Sequence, residues 1–376
     1  MPWLLWNYSK KLERRSLNQK SKTSEPEIAE KLLRAIRSYA TQNFSFMEVC
    51  GTHTVAIFRS GIRSVLPKNL RIISGPGCPV CVTPMKEIDE AIYLVKNSNT
   101  ILATFGDLMK VPGNECSLLE ARARGAKVKI ILSPMDAVQL AELEKDSKVV
   151  LFAVGFETTI PAIAVAIKEA FRRELKNFFV LSSLRLIPPA IKSLLNSKKT
   201  AIDGFILPGH VSVIIGTKPY QFIAEKYNTP GVVTGFEPLD ILQGLVLLLR
   251  QKTESRSKIE IQYQRAVSPE GNKKAVETMY EVFEVTDSQW RGIGTIPKSG
   301  LALKDKYSSM DARKFFDIPE MSAEEPAGCI CGEILQGLKL PPQCKLFGKR
   351  CTPEDPVGPC MVSSEGSCAA FYKYGK

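Results

Sequence analysis

The chain has 376 residues, 44% of them hydrophobic, a net charge of +12, and ten cysteines against two histidines. That length supports two or three domains with a sizeable core, and with no run of eighteen uncharged apolar residues the hydropathy gives no transmembrane segment. The basic excess alone would suggest nucleic acid, but the aromatic interleaving of a single-strand binder is missing, so we expect neither a nucleic-acid nor a membrane partner.

Residues 1–27 read as a basic N-terminal arm, crowded with cations as in Lys10-Lys11-Leu12-Glu13-Arg14-Arg15. Its apolar patch, Trp3-Leu4-Leu5-Trp6, is too short for a signal-peptide core and basic residues follow it. Ten cysteines without a secretory signal are expected to be reduced thiols used for metal or redox work in the cytoplasm. From Ile28 apolar residues recur at helical spacing through Leu32, Leu33, Ile36 and Tyr39, predicting a helix. Short apolar runs then alternate with helical stretches. The runs are 46–49, 70–73, 101–104, 128–132, 149–154, 178–181, 204–207 and 231–233. Strand, turn and helix repeated in this way predict an α/β fold: two successive parallel-sheet units, 28–145 and 146–265, divided near Glu142–Lys148. After Arg265 the pattern loosens. From Cys329 six cysteines fall among glycines and prolines, so the C-terminal region 266–376 is expected to end in a cysteine module held by a metal or by cross-links.

Two histidines sit in turns at predicted C-terminal strand ends, where open α/β sheets bind ligands: His53 in Cys50-Gly51-Thr52-His53, and His210 in Pro208-Gly209-His210. Cys50 opens a turn feeding a helix, whose N–H groups and dipole would favour the thiolate, the form that ligates metal. The stretch Ser74-Gly75-Pro76-Gly77-Cys78-Pro79-Val80-Cys81 holds two thiols two residues apart, and its prolines are expected to delay the next helix until after it. Such a pair is half a zinc site or a redox dithiol; with no second Cys-x-x-Cys, the dithiol reading leads. Cys116 has no partner in sequence and reads as a packed thiol. In the C-terminal module Cys329, Cys344, Cys351 and Cys368 are spaced C-x14-C-x6-C-x16-C, which suits zinc or an iron-sulfur cluster, and Cys331 and Cys360 are left as a pair.

From about residue 45 the sequence resembles the HypD family, the maturation proteins of nickel-iron hydrogenases. The matching stretches include CGTHT (50–54), GPGCPVCVTP (75–84), FGDLMKVPG (105–113), GFETT (155–159), LPGHVSVIIG (207–216), TGFEPLDIL (234–242), RGIGTIPKSGL (291–301) and the cysteine-rich run from 344 to 374. The basic arm lies outside the resemblance. LRLIPPA at 184–190 departs from the family's HKLVPPA, so no histidine role transfers there. The resemblance implies a metallocentre assembly scaffold with thiol-redox activity. Its iron, carrying two cyanides and one carbon monoxide, would be held by Cys50 and shared with HypC, with cyanide delivered by HypE and the hydrogenase large subunit served indirectly. It further implies a 4Fe-4S cluster on Cys329, Cys344, Cys351 and Cys368, a Cys331/Cys360 pair beside it, and Cys78/Cys81 as the inner end of an electron relay. A partner cleft is expected between the two α/β units, against the turns of Cys50, His53 and His210. The competing reading is an iron-sulfur-dependent protein disulfide reductase, for which a separate Cys50 turn has no use.

Overall fold

Parallel strands buried on both faces carry near-continuous apolar sequence. The eight apolar runs follow that pattern, and in a computed structural model describing residues 24–97, 99–197, 199, 201–321 and 325–375 each of them is a strand. They are β1 (Phe44–Glu48), β2 (Leu70–Ser74), β3 (Thr100–Thr104), β4 (Val128–Ile130), β5 (Lys148–Gly155), β6 (Phe178–Leu184), β7 (Gly204–Pro208) and β8 (Gly231–Thr234). Three more strands follow: β9 (Ile259–Ile261), β10 (Phe283–Trp290) and β11 (Gly294–Leu303). β10 is exposed along most of its length and so presents no apolar run to read. The expected basic arm lies, up to residue 23, outside the described residues. The helix Glu25–Tyr39 starts inside its expected end, where Ser24 N–H donates to Glu27 Oε2 at 3.0 Å as an N-terminal cap.

Two parallel sheets form, in the orders β2-β1-β7-β8-β9 and β4-β3-β5-β6, beside an antiparallel β10-β11 hairpin. The two α/β units are therefore present, but they are not successive. β3 to β6 are inserted between β2 and β7, so the first sheet is built from both ends of the α/β region. The expected boundary near 142–148 falls just before β5, which pairs directly with β3 in the middle of the second sheet. Local periodicity shows that a strand exists; it holds no record of which distant strand takes its second edge. Here Phe46 of β1 lies opposite Ile72 of β2 on one side and Gly204 of β7 on the other.

This topology fixes the ligand edge. Strand order in the first sheet runs outward in opposite directions from the β1–β7 junction, so a crevice opens at the C-terminal ends of those two strands. The residues that follow them are Val49-Cys50-Gly51 and Gly209-His210. The C-terminal module lies across the same edge: its helix Ser367–Tyr374 packs on the helix Gly51–Arg59, with the rings of Phe58 and Phe371 edge to face at 5.3 Å. Among the described residues no helix is long and apolar enough to cross a membrane.

Candidate functional site

Four strands of the first sheet end side by side on four of the motifs: β2 on Gly75–Cys78, β1 on Cys50–His53, β7 on Gly209-His210 and β8 on Gly235-Phe236. The first two turns are locked by their backbones. Gly75 N–H donates to Glu48 O at 2.7 Å and Gly51 N–H to Gly77 O at 2.9 Å. A Cβ on Gly77 would lie 2.1 Å from Cys50 N, so only glycine lets the two cysteine turns approach this closely.

Cys50 is the N-cap residue of the helix Gly51–Arg59, as expected, but its thiol is not poised as thiolate. Burial pushes it up to about 12, and the carboxyls of Glu365 and Glu48 add to the rise. The N–H groups of His53 and Thr52 pull the other way and are outweighed. Beneath it, Glu48 is fully buried, accepting from Thr54 Oγ1 at 2.5 Å and from Cys50 N–H at 3.0 Å. Burial raises that carboxyl to about 7 against those hydrogen bonds.

His53 is fully buried, with Nε2 2.9 Å from both Gly235 O and Thr234 Oγ1. A carbonyl can only accept, so the imidazole proton sits on Nε2 and is committed to the β8 turn, leaving Nδ1 buried without a partner. Burial holds the ring neutral, its value lowered to about 4. His210 by contrast is exposed, and stacks on Phe236 at 4.0 Å; the same phenylalanine ring lies 4.7 Å from His53. Both histidines thus belong to the first sheet, and the expected cleft lined by motifs from both units is not how these turns are arranged.

Cys78 and Cys81 are buried and joined as a disulfide. A helix does start inside their stretch: Cys78 caps Pro79–Val82, its sulfur accepting from Cys81 N–H at 3.2 Å. Proline fits the first helical position because the N–H it lacks would be unpaired there anyway. Cys116 is buried in the core, as a packed thiol should be.

All six C-terminal cysteines line one apolar cleft of about 320 Å3, space open to solvent included, with Ile334, Leu346, Phe347 and Met361 among its walls. Cys331 Sγ and Cys360 Sγ are 2.8 Å apart, while the other four thiols are arrayed around the cleft. Burial raises Cys368, and hydrogen bonding between thiols together with burial raises Cys329. A Cβ on Gly358 would sit 2.9 Å from Cys329 Sγ, so the wall is cut to clear the sulfur. Among the described residues no three histidine, cysteine, aspartate or glutamate side chains converge tightly enough for a single metal ion. Four soft donors round one apolar cleft are a donor set that could hold an iron-sulfur group or a zinc ion.

The three thiol centres are neighbours. Thr52 Oγ1 donates to Glu365 Oε1 at 2.8 Å, tying the Cys50 turn to the loop between Cys360 and Cys368. The short helix Pro359–Val362, which carries Cys360, packs against Pro79–Val82, which carries Cys81. Arg291 N–H donates to Val82 O at 2.9 Å. Sequence reasoning singled out none of Glu48, Glu157, Tyr220, Arg291 and Glu365. Glu157, Arg291 and Glu365 lie within motifs carried by the resemblance, so a signal was present; Glu48, in an apolar run, and Tyr220, in an ordinary turn, gave none.

Fold and site together define a two-sheet α/β protein that gathers eleven chemically capable side chains, seven thiols, the two cysteines of a disulfide and two imidazoles, along one strand edge and the module covering it. The chain belongs to the HypD family, described as the Hydrogenase formation hypA family, whose pattern matches residues 27–375. It is 49% identical over 360 residues to hydrogenase maturation factor HypD2 of Bradyrhizobium diazoefficiens, an alignment covering 93% of this chain and 95% of that relative. The corresponding figures for hydrogenase maturation factor HypD of Escherichia coli are 47% over 337 residues, 89% and 90%. For HypD of Rhizobium leguminosarum they are 46% over 359 residues, with 93% of each chain covered.

Proposed function

We propose that this hydrogenase maturation factor is the scaffold on which the iron group of nickel-iron hydrogenases, Fe(CN)2CO, is assembled. Cys50 holds the iron together with a thiol of HypC, HypE supplies the cyanide, and the finished group goes on to the hydrogenase large subunit. The observation that carries this reading is the separation of labour among adjacent thiols. Cys50 is a lone buried sulfur at a strand-end crevice, distinct from the Cys78–Cys81 disulfide that touches its turn and from the six-cysteine cleft that covers both. A disulfide reductase needs the second and third of these and has no use for the first.

As a free thiol Cys50 is kept protonated by burial, so it is inert toward stray oxidants and electrophiles. Iron pays that desolvation cost when it arrives, and the proton leaves as the thiolate ligates. Glu48 and Glu365, both raised toward protonation by burial, are placed to take it. Cys329, Cys344, Cys351 and Cys368 would hold the 4Fe-4S cluster, which supplies one-electron chemistry when bound. Cys331 and Cys360, already in contact, can store two electrons as a dithiol, and Cys78–Cys81 can receive them. In this reading HypC docks over the exposed His210 side of the β1–β7 crevice, which is supported by the C-terminal module covering the other side.

Infrared spectroscopy of the anaerobically purified complex with HypC tests the proposal. It should show cyanide and carbonyl stretches; a complex that binds HypC stoichiometrically yet shows neither would contradict it.

A further inference from the structure

Arg291 is among the largest fully buried side chains in the protein, and its charge is only half answered. Its Nε donates to Glu325 Oε2 at 2.8 Å, and that carboxylate is 39% exposed, so water weakens the pair from outside. Its two terminal nitrogens, buried away from water, have no hydrogen-bond partner. A buried guanidinium is costly unless an anion meets it.

Its position shows which anion. The backbone at 291 is bonded to Val82 O, one residue past Cys81. The next residue, Gly292, has φ +68° and packs directly on Gly332, one residue past Cys331; a Cβ on it would lie 2.4 Å from Gly332 Cα. Gln336 Nε2, from the helix Cys331–Leu335 and its cap, closes the contact by donating to Gly292 O at 3.1 Å. Arg291 is thus wedged between the Cys78–Cys81 disulfide and the C-terminal cysteines. The Asp89 carboxyl feels the Arg291 charge, but its oxygens accept from Asn114.

We propose that Arg291 is the positioning residue of the C-terminal cysteine centre: a buried cation packed beside it that balances the negative charge that four thiolates and an added electron bring. The inference rests on the cluster reading above. Charge and hydrogen bonds at the sulfurs are among the factors that set a cluster's reduction potential. Reduction by dithionite adds one electron to the cluster, breaks no bond, and leaves Arg291 protonated, so the fixed positive charge favours the reduced state and raises the potential.

The test is an EPR-monitored dithionite titration of the full-length anaerobic protein, with iron and acid-labile sulfide measured on the same samples. Arg291→Gln should make reduction about tenfold less favourable, which for a one-electron couple is about 59 mV lower. Arg291→Lys should recover most of the loss, which a purely structural role would not predict. Glu325→Gln, which frees more of the positive charge and touches no cysteine, should shift the potential upward and keeps the test open should Arg291→Gln not fold. Unchanged potentials in Glu325→Gln and in a folded, cluster-bearing Arg291→Gln would overturn the proposal. Wild-type protein without iron and sulfide would instead sink the cluster reading on which it rests.

Discussion

Cys50 shows how two rules about one residue compete. Its position at a helix start was legible in the Cys-Gly-Thr-His pattern, and the N–H groups there do favour the thiolate. Burial was not legible, because the C-terminal module that covers the turn comes from more than 300 residues away, through Glu365 and Phe371. In the structure burial wins. The same competition governs Glu157, at the end of β5. It is fully buried, Oε1 accepts from Ile187 N–H at 3.0 Å, and Oε2 has no partner; burial raises it to about 7. The native carboxyl therefore keeps its proton to about pH 7, while the unfolded chain gives it up near the ordinary 4.5. Between those values the native state binds more protons, so this carboxyl costs stability progressively as pH rises from about 4.5 to about 7 and nothing further above. Denaturant unfolding of Glu157→Gln across that window should show the variant gaining on wild type by on the order of 3 kcal/mol. A difference independent of pH would mean that Glu157 is ionised in the native state.

At the scale of elements, the eight apolar runs were enough to place β1 to β8, because strands buried on both faces must be apolar throughout. β10 escaped because it is largely exposed, and β11 because its first half is mostly exposed and interrupted by Pro297, so neither presents a continuous apolar run. The helix Pro79–Val82 escaped because a proline-rich stretch reads as helix-breaking, when proline in the first turn only marks a beginning. What positions the site is the contact between two turns, and it depends on Gly77. Gly77→Ala places a Cβ against the backbone of Cys50, which cannot swing aside as a flexible side chain would. We expect a loss of roughly 1–3 kcal/mol in denaturant unfolding, typical of overpacking. The Cys78–Cys81 disulfide should survive, since both its cysteines lie beyond the shifted residue. Full stability in Gly77→Ala would show that the two cysteine turns are not held together by this approach.

Over the whole molecule, the inserted second sheet explains why the chemistry converges on the first. Splitting the first sheet between residues 44–74 and 204–261 puts β1 beside β7 and creates the crevice at Cys50 and His210. The C-terminal module then closes over β1 and β2, bringing the cleft cysteines to both the lone thiol and the disulfide. Neither arrangement has a local signature; motif resemblance alone pointed to their convergence. In the proposed assembly role Cys50 is a separate centre from the disulfide beside it. The direct measurement is infrared and visible absorption of Cys50→Ala and Cys78→Ala, each purified anaerobically with HypC. We predict that Cys50→Ala loses the cyanide and carbonyl bands and keeps the cluster's visible absorption, whereas Cys78→Ala retains part of the bands. Full bands in Cys50→Ala with none in Cys78→Ala would contradict the account and move the iron to the Gly75–Cys81 turn.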